Sequence, residues 1–439
     1  MRRIFSARVR RTAVVVASAG LIVAITPGAY GVTEKGVTTA PAYGGSNVAW
    51  PPGGDNWPFP HDWPFPGGPP SSDANGVLPP KANGVWIYDT IHPGLDFQDR
   101  VQLPGMWAPR VNRYNQQAAS GHDITRIYSY GSSMEMYCPG RDAAKCTLDD
   151  LKIYYTPDSA GYASTRAYDE EIAKVPGAEI VVSPVVDGRI GASYFSGFNE
   201  LSPELARKYT DKVTERLCAD PRIDGVQFDL EPFDVTSKNG QYYFYLRIAK
   251  NFAGENETDE FHCVSPRHPD GRFFSIFAFA EVVRPGTTSA EHVAEILTRY
   301  HNGYMVQSLY DLIHSAAGVL NPAPQYAEQA QQAVQHMKTW AAKLGIPYSI
   351  GIPGAATSHE YTSCTGDPCQ PAPNGETGYP MIEYTKAAIS AINDHGVRDD
   401  PLFLGVDVWY LGASHYRDGY MRQPVPVPTS VWTYLTKTL

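Results

Sequence analysis

Three polar side chains alternate with apolar ones in the segment 223–232, which reads Ile-Asp-Gly-Val-Gln-Phe-Asp-Leu-Glu-Pro. Alternate residues of a β-strand point to the same side, so Gln227, Asp229 and Glu231 are predicted to share one face. Two carboxyl groups on one face separate in pKa, and the group that keeps its proton near neutral pH can act as a general acid. An Asp-x-Glu at a strand end is also typical of a solvated or salt-bridged pair, but the ten-residue context favours catalysis.

The elements around this segment alternate between short β-branched or aromatic runs and longer runs with helical periodicity. Eight strands are predicted, at 85–89, 124–130, 179–186, 225–230, 273–279, 304–310, 348–352 and 403–410. Helices are predicted at 203–219, 241–252, 290–300, 326–344, 382–395 and 429–438. This order predicts an α/β protein, a (β/α)8 TIM barrel that forms a single catalytic domain. An open doubly wound sheet is the alternative, but the first strand is not followed by a glycine-rich phosphate-binding turn.

The acidic segment lies at the carboxyl end of the fourth predicted strand, which is where barrel enzymes carry their catalytic groups. The intervening residues Val226, Phe228 and Leu230 are expected to face the surrounding helices.

The sequence resembles glycoside hydrolase family 18, the family of chitinases and endo-β-N-acetylglucosaminidases. The fourth-strand motif of that family, D-G-x-D-x-D-x-E, is matched here by Asp224, Gly225, Asp229 and Glu231. Gln227 stands where the family has aspartate. The resemblance implies that Glu231 is the catalytic acid/base and that Asp229 orients the 2-acetamido group of the substrate, whose carbonyl oxygen attacks the anomeric carbon. It also places Gln227 and Asp224 among the substrate-binding residues.

Two further segments resemble the family with less specificity. Residues 307–311, Gln-Ser-Leu-Tyr-Asp, resemble M-x-Y-D with serine in the methionine position. The resemblance implies that Tyr310 is a catalytic residue that hydrogen-bonds the acetamido carbonyl oxygen, and that Asp311 lines the cleft. Trp409, in the eighth-strand segment 405–409, is expected to form the floor of a sugar site. Packing in the core is the competing interpretation of both aromatic residues.

Two loops bear on the shape of the cleft. Residues 353–380 form a short connection where many processive chitinases carry a large α+β insertion, so an open groove is expected. An open groove suits an endo-acting enzyme, and endo-β-N-acetylglucosaminidase is therefore as well supported as chitinase. The loop 131–156 is expected to form a rim of the same cleft.

The six cysteines are consistent with an oxidising destination. Their proximity suggests three disulfides, Cys138–Cys146, Cys364–Cys369 and Cys218–Cys263. No C-x-x-C or H-x-x-x-H spacing indicates a metal site, so no metal is predicted. The histidines are scattered, and His268 is expected at the surface of a loop.

The first part of the chain is predicted to be a leader and an arm. Residues 1–31 contain five arginines, then an apolar run and small residues, the order of a secretory signal peptide. An uncleaved membrane anchor is the alternative. Residues 32–83 are rich in Pro and Gly and repeat the sequence Trp-Pro-Phe-Pro, which is typical of an extended linker. Residues 84–439 are then the catalytic domain.

The formal charge of −10 over 439 residues argues against a nucleic-acid-binding protein. Taken together, the sequence predicts a secreted, retaining glycoside hydrolase. It acts on an oligo- or polysaccharide next to N-acetylglucosamine, by substrate-assisted catalysis, without a cofactor and without stable membrane insertion after signal cleavage. Two alternatives stay open, a catalytically silent carbohydrate-binding barrel and a barrel glycosidase for sugars that lack an acetamido group. The oligomeric state is also left open.

Overall fold

The computed structural model describes residues 78–87, 104–155, 175–188, 196–228, 230, 233–254, 263–313, 321–354, 364–365, 370–371, 381–409, 413–417, 420–425 and 429–439. The predicted signal peptide and most of the predicted arm lie outside these residues, as do Asp229, Glu231 and Cys369. The division into leader, arm and catalytic domain stays a prediction.

Eight parallel strands of the described residues pair side by side and close into a ring. They are β1 (Asn83–Ile87), β2 (Ile124–Met136), β3 (Glu179–Gly188), β4 (Gly225–Phe228), β5 (Phe273–Ala278), β6 (Gly303–Ser308), β7 (Tyr348–Pro353) and β8 (Phe403–Trp409). β1 pairs with both β2 and β8, which closes the barrel. The predicted (β/α)8 fold is confirmed, and each of the eight predicted strands is present.

Helices follow most of these strands. The longer ones are α1 (Pro104–Gln117), α2 (Pro203–Cys218), α3 (Gly240–Phe252), α4 (Thr288–Thr298), α5 (Ala323–Leu344), α6 (Met381–Asp394) and α7 (Thr429–Thr438). Helices α2 to α7 confirm the six predictions, whereas α1 was not predicted. Its sequence begins Pro-Gly and has a second proline at its sixth position, which masks its helical pattern.

Local sequence explains where several helices begin and end. Ser202 caps α2, since its hydroxyl accepts a hydrogen bond from the Leu205 backbone N–H, and proline occupies the first helical position. Asn239 caps α3 in the same way through the Tyr242 N–H. Gly345 ends α5 in the left-handed conformation, with φ of 66°.

Strand β2 extends beyond the barrel, and part of the loop predicted at 131–156 is therefore β-sheet. Residues 132–136 pair in parallel with β3 and antiparallel with a short strand, Leu151–Tyr155. The prediction of a loop over 131–156 is wrong for these two segments, because an irregularity after Tyr130 lets the ladder resume instead of ending it. A second antiparallel pair, Ala413–Arg417 with Tyr420–Val425, follows β8.

The core has two layers, one between the strands and the helices and one inside the barrel. Val226, Phe228 and Leu230 belong to the outer layer, as the alternation along β4 predicts. The inner layer is largely aromatic and consists of Trp86, Tyr128, Val181, Phe273, Tyr304, Val306, Tyr310, Leu404 and Trp409. A barrel of eight strands is just wide enough for such side chains to fill its interior.

Two of the three predicted disulfides are confirmed. Cys138 is bonded to Cys146 in the turn after β2, and Cys218 at the end of α2 is bonded to Cys263. The third predicted pair includes Cys369 and lies outside the described residues. Among the helices that the structure describes, none combines the length and the apolar character needed to cross a membrane.

We expect the Cys218–Cys263 disulfide to contribute more to stability than the Cys138–Cys146 disulfide. The two bonds join residues 45 and 8 positions apart. Loop entropy then gives about 4 kcal/mol for the longer loop and about 2.5 kcal/mol for the shorter. Urea unfolding of the two double Cys→Ala variants measures the difference. A larger loss of unfolding free energy for the Cys138/Cys146 variant would contradict the expectation.

Candidate functional site

Gln227 lies inside the barrel and joins three strands through its side-chain amide. Its Oε1 accepts a hydrogen bond from the indole Nε1 of Trp86 on β1 at 2.7 Å. Its Nε2 donates to Oγ of Ser275 on β5 at 3.3 Å. The indole N–H can only donate, so the amide oxygen has to face Trp86. The prediction that Gln227 faces the interior is confirmed, and its orientation is defined by both partners.

Tyr310 and Trp409 meet at the carboxyl end of the barrel. Their rings stack with centroids 4.7 Å apart and planes 9° apart. Both rings also contact the edge of Trp86, at centroid distances of 5.6 and 5.5 Å. Gly351 on β7 makes room for this cluster, since a Cβ there would lie 3.0 Å from ring atoms of Trp86 and of Tyr310. The structure thus brings together two of the predicted site residues, although each is more than nine-tenths buried.

The two predicted catalytic carboxylates, Asp229 and Glu231, lie outside the described residues. Strand β4 is described as far as Phe228, the residue before Asp229 in the sequence. Asp311 follows Tyr310 in the short 3-10 turn after β6 and is half-buried.

Asp224 lies at the opposite end of the barrel, immediately before β4. Its Oδ1 is 3.0 Å from Nε2 of His268 and 3.5 Å from Nη2 of Arg267. The His268 side chain is only 7% exposed, so the expectation that it lies at the surface is wrong: its contact with Asp224 draws it inward. The prediction that Asp224 binds substrate stays a prediction, and the structure separates it from Tyr310 and Trp409.

A buried guanidinium stands between two carboxylates at the amino end of the barrel interior. The Arg126 side chain is fully buried, and its nitrogens lie 3.9 Å from Oε2 of Glu179 and 3.9 Å from Oδ1 of Asp407. Nη2 donates to the carbonyl oxygens of Pro80 at 2.7 Å and Leu404 at 3.3 Å. The charge is thus compensated by two acids and two carbonyl dipoles.

Asp407 on β8 is held by hydroxyl donors from two other strands. Its Oδ2 accepts hydrogen bonds from Tyr128 at 3.0 Å and from Ser349 at 2.5 Å. Gly84 on β1 is required beside it, because a Cβ at that position would collide with Oδ1 of Asp407. The carboxylate therefore occupies space that any other residue at 84 would fill.

Burial changes the titration of both acids near Arg126. Burial raises the pKa of Asp407 to about 6, against the opposing effects of Arg126 and of the two hydroxyl donors. Burial also raises the pKa of Glu179 to about 7, with a further contribution from Asp224 and an opposing one from Arg126. Both groups therefore change charge near neutral pH.

Sequence reasoning missed most of the polar interior. The missed residues are Trp86, Arg126, Tyr128, Ser275, Tyr304 and Asp407. A signal was present, since Arg126 and Tyr128 lie on either side of Ile127 in a predicted strand, and Asp407 lies between Val406 and Val408 in another. Which of these side chains meet depends on the strand register and could not be inferred from the alternation. Within the described residues, no group of three or more His, Cys, Asp or Glu side chains is arranged to hold a metal ion.

No protein-family model and no curated protein matches the sequence. Among solved structures, the chain is similar to a family GH18 chitinase from Pseudoalteromonas aurantia, with 13% identity, 75% of this chain and 94% of that chain covered, and a TM-score of 0.43. It is also similar to a family 5 mannosidase from Rhizomucor miehei, with 12% identity, 83% and 95% covered, and a TM-score of 0.45. The chain is also similar to an endo-β-1,4-glucanase from Xanthomonas axonopodis pv. citri. The identity is 11%, the alignment covers 81% of this chain and 99% of that chain, and the TM-score is 0.44. At such low sequence identities and TM-scores, the similarities assign no activity to this chain. The assignment of the fold depends on the observed strand pairing.

We expect the protein to become less stable as the pH rises from about 5 to 8. The folded-state pKa values of Asp407 and Glu179 lie above their unfolded values, so the folded state binds protons more tightly than the unfolded state. The stability contributed by the protonated forms is complete below the unfolded pKa. It is lost as the pH rises through about 6 for Asp407 and about 7 for Glu179.

Thermal unfolding of the wild type and of Glu179→Gln across this range measures the effect. The Tm difference between the two proteins should change with pH, because the variant lacks the Glu179 ionisation. A difference that is constant from about pH 5 to 8 would show that Glu179 does not titrate as described.

Proposed function

We propose that the protein is a glycoside hydrolase that acts on an oligo- or polysaccharide. Within that class, we propose a retaining enzyme that cleaves a β-glycosidic bond next to N-acetylglucosamine, of chitin or N-glycan core type. One observation carries the proposal: within the D-G-x-x-x-D-x-E segment, Gly225–Phe228 form β4 of an eight-stranded barrel, and Asp229 and Glu231 follow its carboxyl end in the sequence. This is the end at which barrel enzymes carry their catalytic residues.

The proposed mechanism uses two carboxyl groups and the substrate's own acetamido group. Glu231 protonates the glycosidic oxygen while the acetamido carbonyl oxygen attacks the anomeric carbon and the bond to the leaving group breaks. Asp229 orients the acetamido group and stabilises the positive charge that develops on it. Water then gives a proton to the Glu231 carboxylate and attacks the anomeric carbon, while the bond between that carbon and the acetamido oxygen breaks and the acetamido group is restored. The two inversions give net retention.

The environment of Gln227 supports a specific version of this mechanism. An amide cannot take up or release a proton at this position, and Trp86 and Ser275 fix its orientation. Asp229 therefore has no ionisable partner two residues before it on β4. In this mechanism Asp229 and Glu231 carry out the proton-linked chemistry, and the residue at position 227 contributes no carboxyl group.

The aromatic cluster supports a sugar site at the same end. Tyr310 follows β6 and Trp409 ends β8, and both lie at the carboxyl ends of their strands. We propose that the Tyr310 hydroxyl binds the acetamido oxygen, that Asp311 lines the cleft and that Trp409 supports the sugar ring. Asp224 lies at the amino end beside His268, where it contributes to the packing of that end, and its contact with substrate stays a prediction.

Export is part of the proposal. The two disulfides are compatible with an oxidising compartment outside the cytoplasm. The predicted signal peptide would direct the protein to such a compartment.

We expect Glu231→Gln to abolish most of the activity, because it removes the proton donor while preserving side-chain size. Loss of a general acid costs about 10²- to 10⁴-fold in rate. Mass spectrometry of products from a panel of chitin oligosaccharides and N-glycans measures the loss. Glu204→Gln, on the exposed face of α2, is the matched control and should retain full activity.

Two outcomes of this experiment would redirect the proposal. Activity that survives Glu231→Gln would remove the mechanism, and no hydrolysis of any glycan by the wild type would favour the silent carbohydrate-binding alternative. A thiazoline analogue of the acetamido intermediate separates the remaining case. Strong inhibition supports acetamido participation, and no inhibition of an active enzyme favours a glycosidase for sugars without that group.

We expect Gln227→Asp to change the pH–rate profile, because it adds an ionisable group two residues before Asp229 in the sequence. A pH series of kcat/KM for the wild type and the variant measures the change. An unchanged profile would show that the residue at 227 does not influence the proposed catalytic pair.

A further inference from the structure

A series of hydrogen bonds crosses the barrel interior from β1 to β8. Its members are, in order, Trp86, Gln227, Ser275, Tyr304, Tyr128 and Asp407. Consecutive contacts are 2.7 Å between Trp86 and Gln227, 3.3 Å between Gln227 and Ser275, 2.8 Å between the two tyrosine hydroxyls and 3.0 Å between Tyr128 and Asp407. Ser275 lies opposite Tyr304 in the strand register, and hydrogen bonding from the Ser275 hydroxyl lowers the pKa of Tyr304. We call these six residues the interior series.

The two ends of the interior series fix its direction. Ionised Asp407 can only accept, so Tyr128 donates its single hydroxyl proton to it. Tyr304 must then donate to Tyr128, and Ser275 must donate to Tyr304. Burial raises the pKa of Tyr304 to about 12 and that of Tyr128 above its usual range, so both hydroxyls keep these protons at neutral pH.

The other end gives the same direction. Trp86 donates to the Gln227 amide oxygen, so the amide nitrogen faces Ser275 and donates to its Oγ. Every hydroxyl of the interior series therefore accepts on the Gln227 side and donates on the Asp407 side. A reversed series would require Ser275 to donate to the amide nitrogen, which cannot accept.

We propose that Asp407 is a positioning residue of the proposed catalytic site. It acts on the side-chain amide of Gln227 through Tyr128, Tyr304 and Ser275. Asp407 does not touch substrate in this proposal. It orients the hydroxyls that hold the Gln227 amide, and the amide in turn holds the Trp86 indole against Tyr310 and Trp409. The inference rests on the proposed function, because the positioned residues belong to that site.

Charged and hydroxyl groups from several strands surround the Asp407 carboxylate. Arg126 faces Oδ1 at 3.9 Å from β2, and Ser349 donates to Oδ2 from β7. Glu179 on β3 shares Arg126 with it, and Tyr304 completes the series from β6. Arg126, Ser349 and Tyr128 favour the ionised, acceptor form of Asp407 against the effect of burial, and hydrogen bonds in a connected series strengthen one another at low dielectric.

A double-mutant cycle tests the coupling. Asp407→Asn keeps the size of the side chain but offers Tyr128 an amide, and Ser275→Ala interrupts the interior series next to Gln227. We expect each single variant to lower kcat about tenfold while KM changes much less, and the double variant to lose no more than the worse single variant. Multiplicative losses, or kcat unchanged in either single variant, would overturn the proposal.

Asp400→Asn is the matched control. Asp400 is a buried acid that accepts a hydrogen bond from Tyr348 at 2.8 Å, outside the interior series. This variant should keep wild-type kcat even if its Tm falls as far as that of Asp407→Asn. Equal losses of kcat in both variants would assign the effect to general destabilisation and overturn the proposal.

A second measurement does not depend on catalysis. The indole ¹⁵N–H resonance of Trp86, assigned by its loss in Trp86→Phe, reports the bond to Gln227. It should shift in Asp407→Asn and in Ser275→Ala but not in Asp400→Asn. An unshifted resonance in Asp407→Asn would overturn the proposal. A shifted resonance in a protein without glycosidase activity would retain the coupling and reject the proposed function.

Discussion

The positive charge of Arg126 determines which polar groups the interior of this barrel must contain. A guanidinium without solvent needs nearby negative charge and acceptors, and here these come from Glu179, Asp407 and two backbone carbonyls. Removing one partner from such a group leaves an uncompensated charge, at a cost of about 3–5 kcal/mol. Asp407 in turn requires donors, and Tyr128 and Ser349 provide them. Each buried polar side chain thus requires a hydrogen-bonding or charged partner, and that partner requires another.

This requirement extends to the carboxyl end, where the chemistry is proposed. The aromatic rings of the interior are large, and they fit because small residues lie opposite them, as Gly351 does beneath Trp86 and Tyr310. Packing alone leaves a flat ring free to tilt. The hydrogen bond from Trp86 to Gln227 removes that freedom for the ring that Tyr310 and Trp409 both contact. Hydrogen bonding therefore orients the cluster that packing forms.

The fold could be predicted from the sequence because the barrel strands read as short runs between helical patterns, and β4 to β8 are buried on both faces. The same pattern correctly assigned Gln227 to the interior and Phe228 to the helix side. Three features could not be predicted. Helix α1 begins with residues that usually break helices, the strand Leu151–Tyr155 follows a disulfide-bonded turn, and His268 is buried by a contact with Asp224. The burial of His268 depends on a contact between segments distant in sequence. The partners of Gln227 depend on strand register for the same reason.

The route by which the chain enters the barrel has a consequence for how the protein is presented. Residues 78–82 pack against the amino end, where Pro80 accepts a hydrogen bond from Arg126 and the Ala82 N–H donates to the Leu404 carbonyl oxygen. Whatever precedes residue 78 is therefore joined to the face opposite Tyr310 and Trp409. The point of attachment of the leading segment and the proposed sugar site therefore lie at opposite ends of the same barrel.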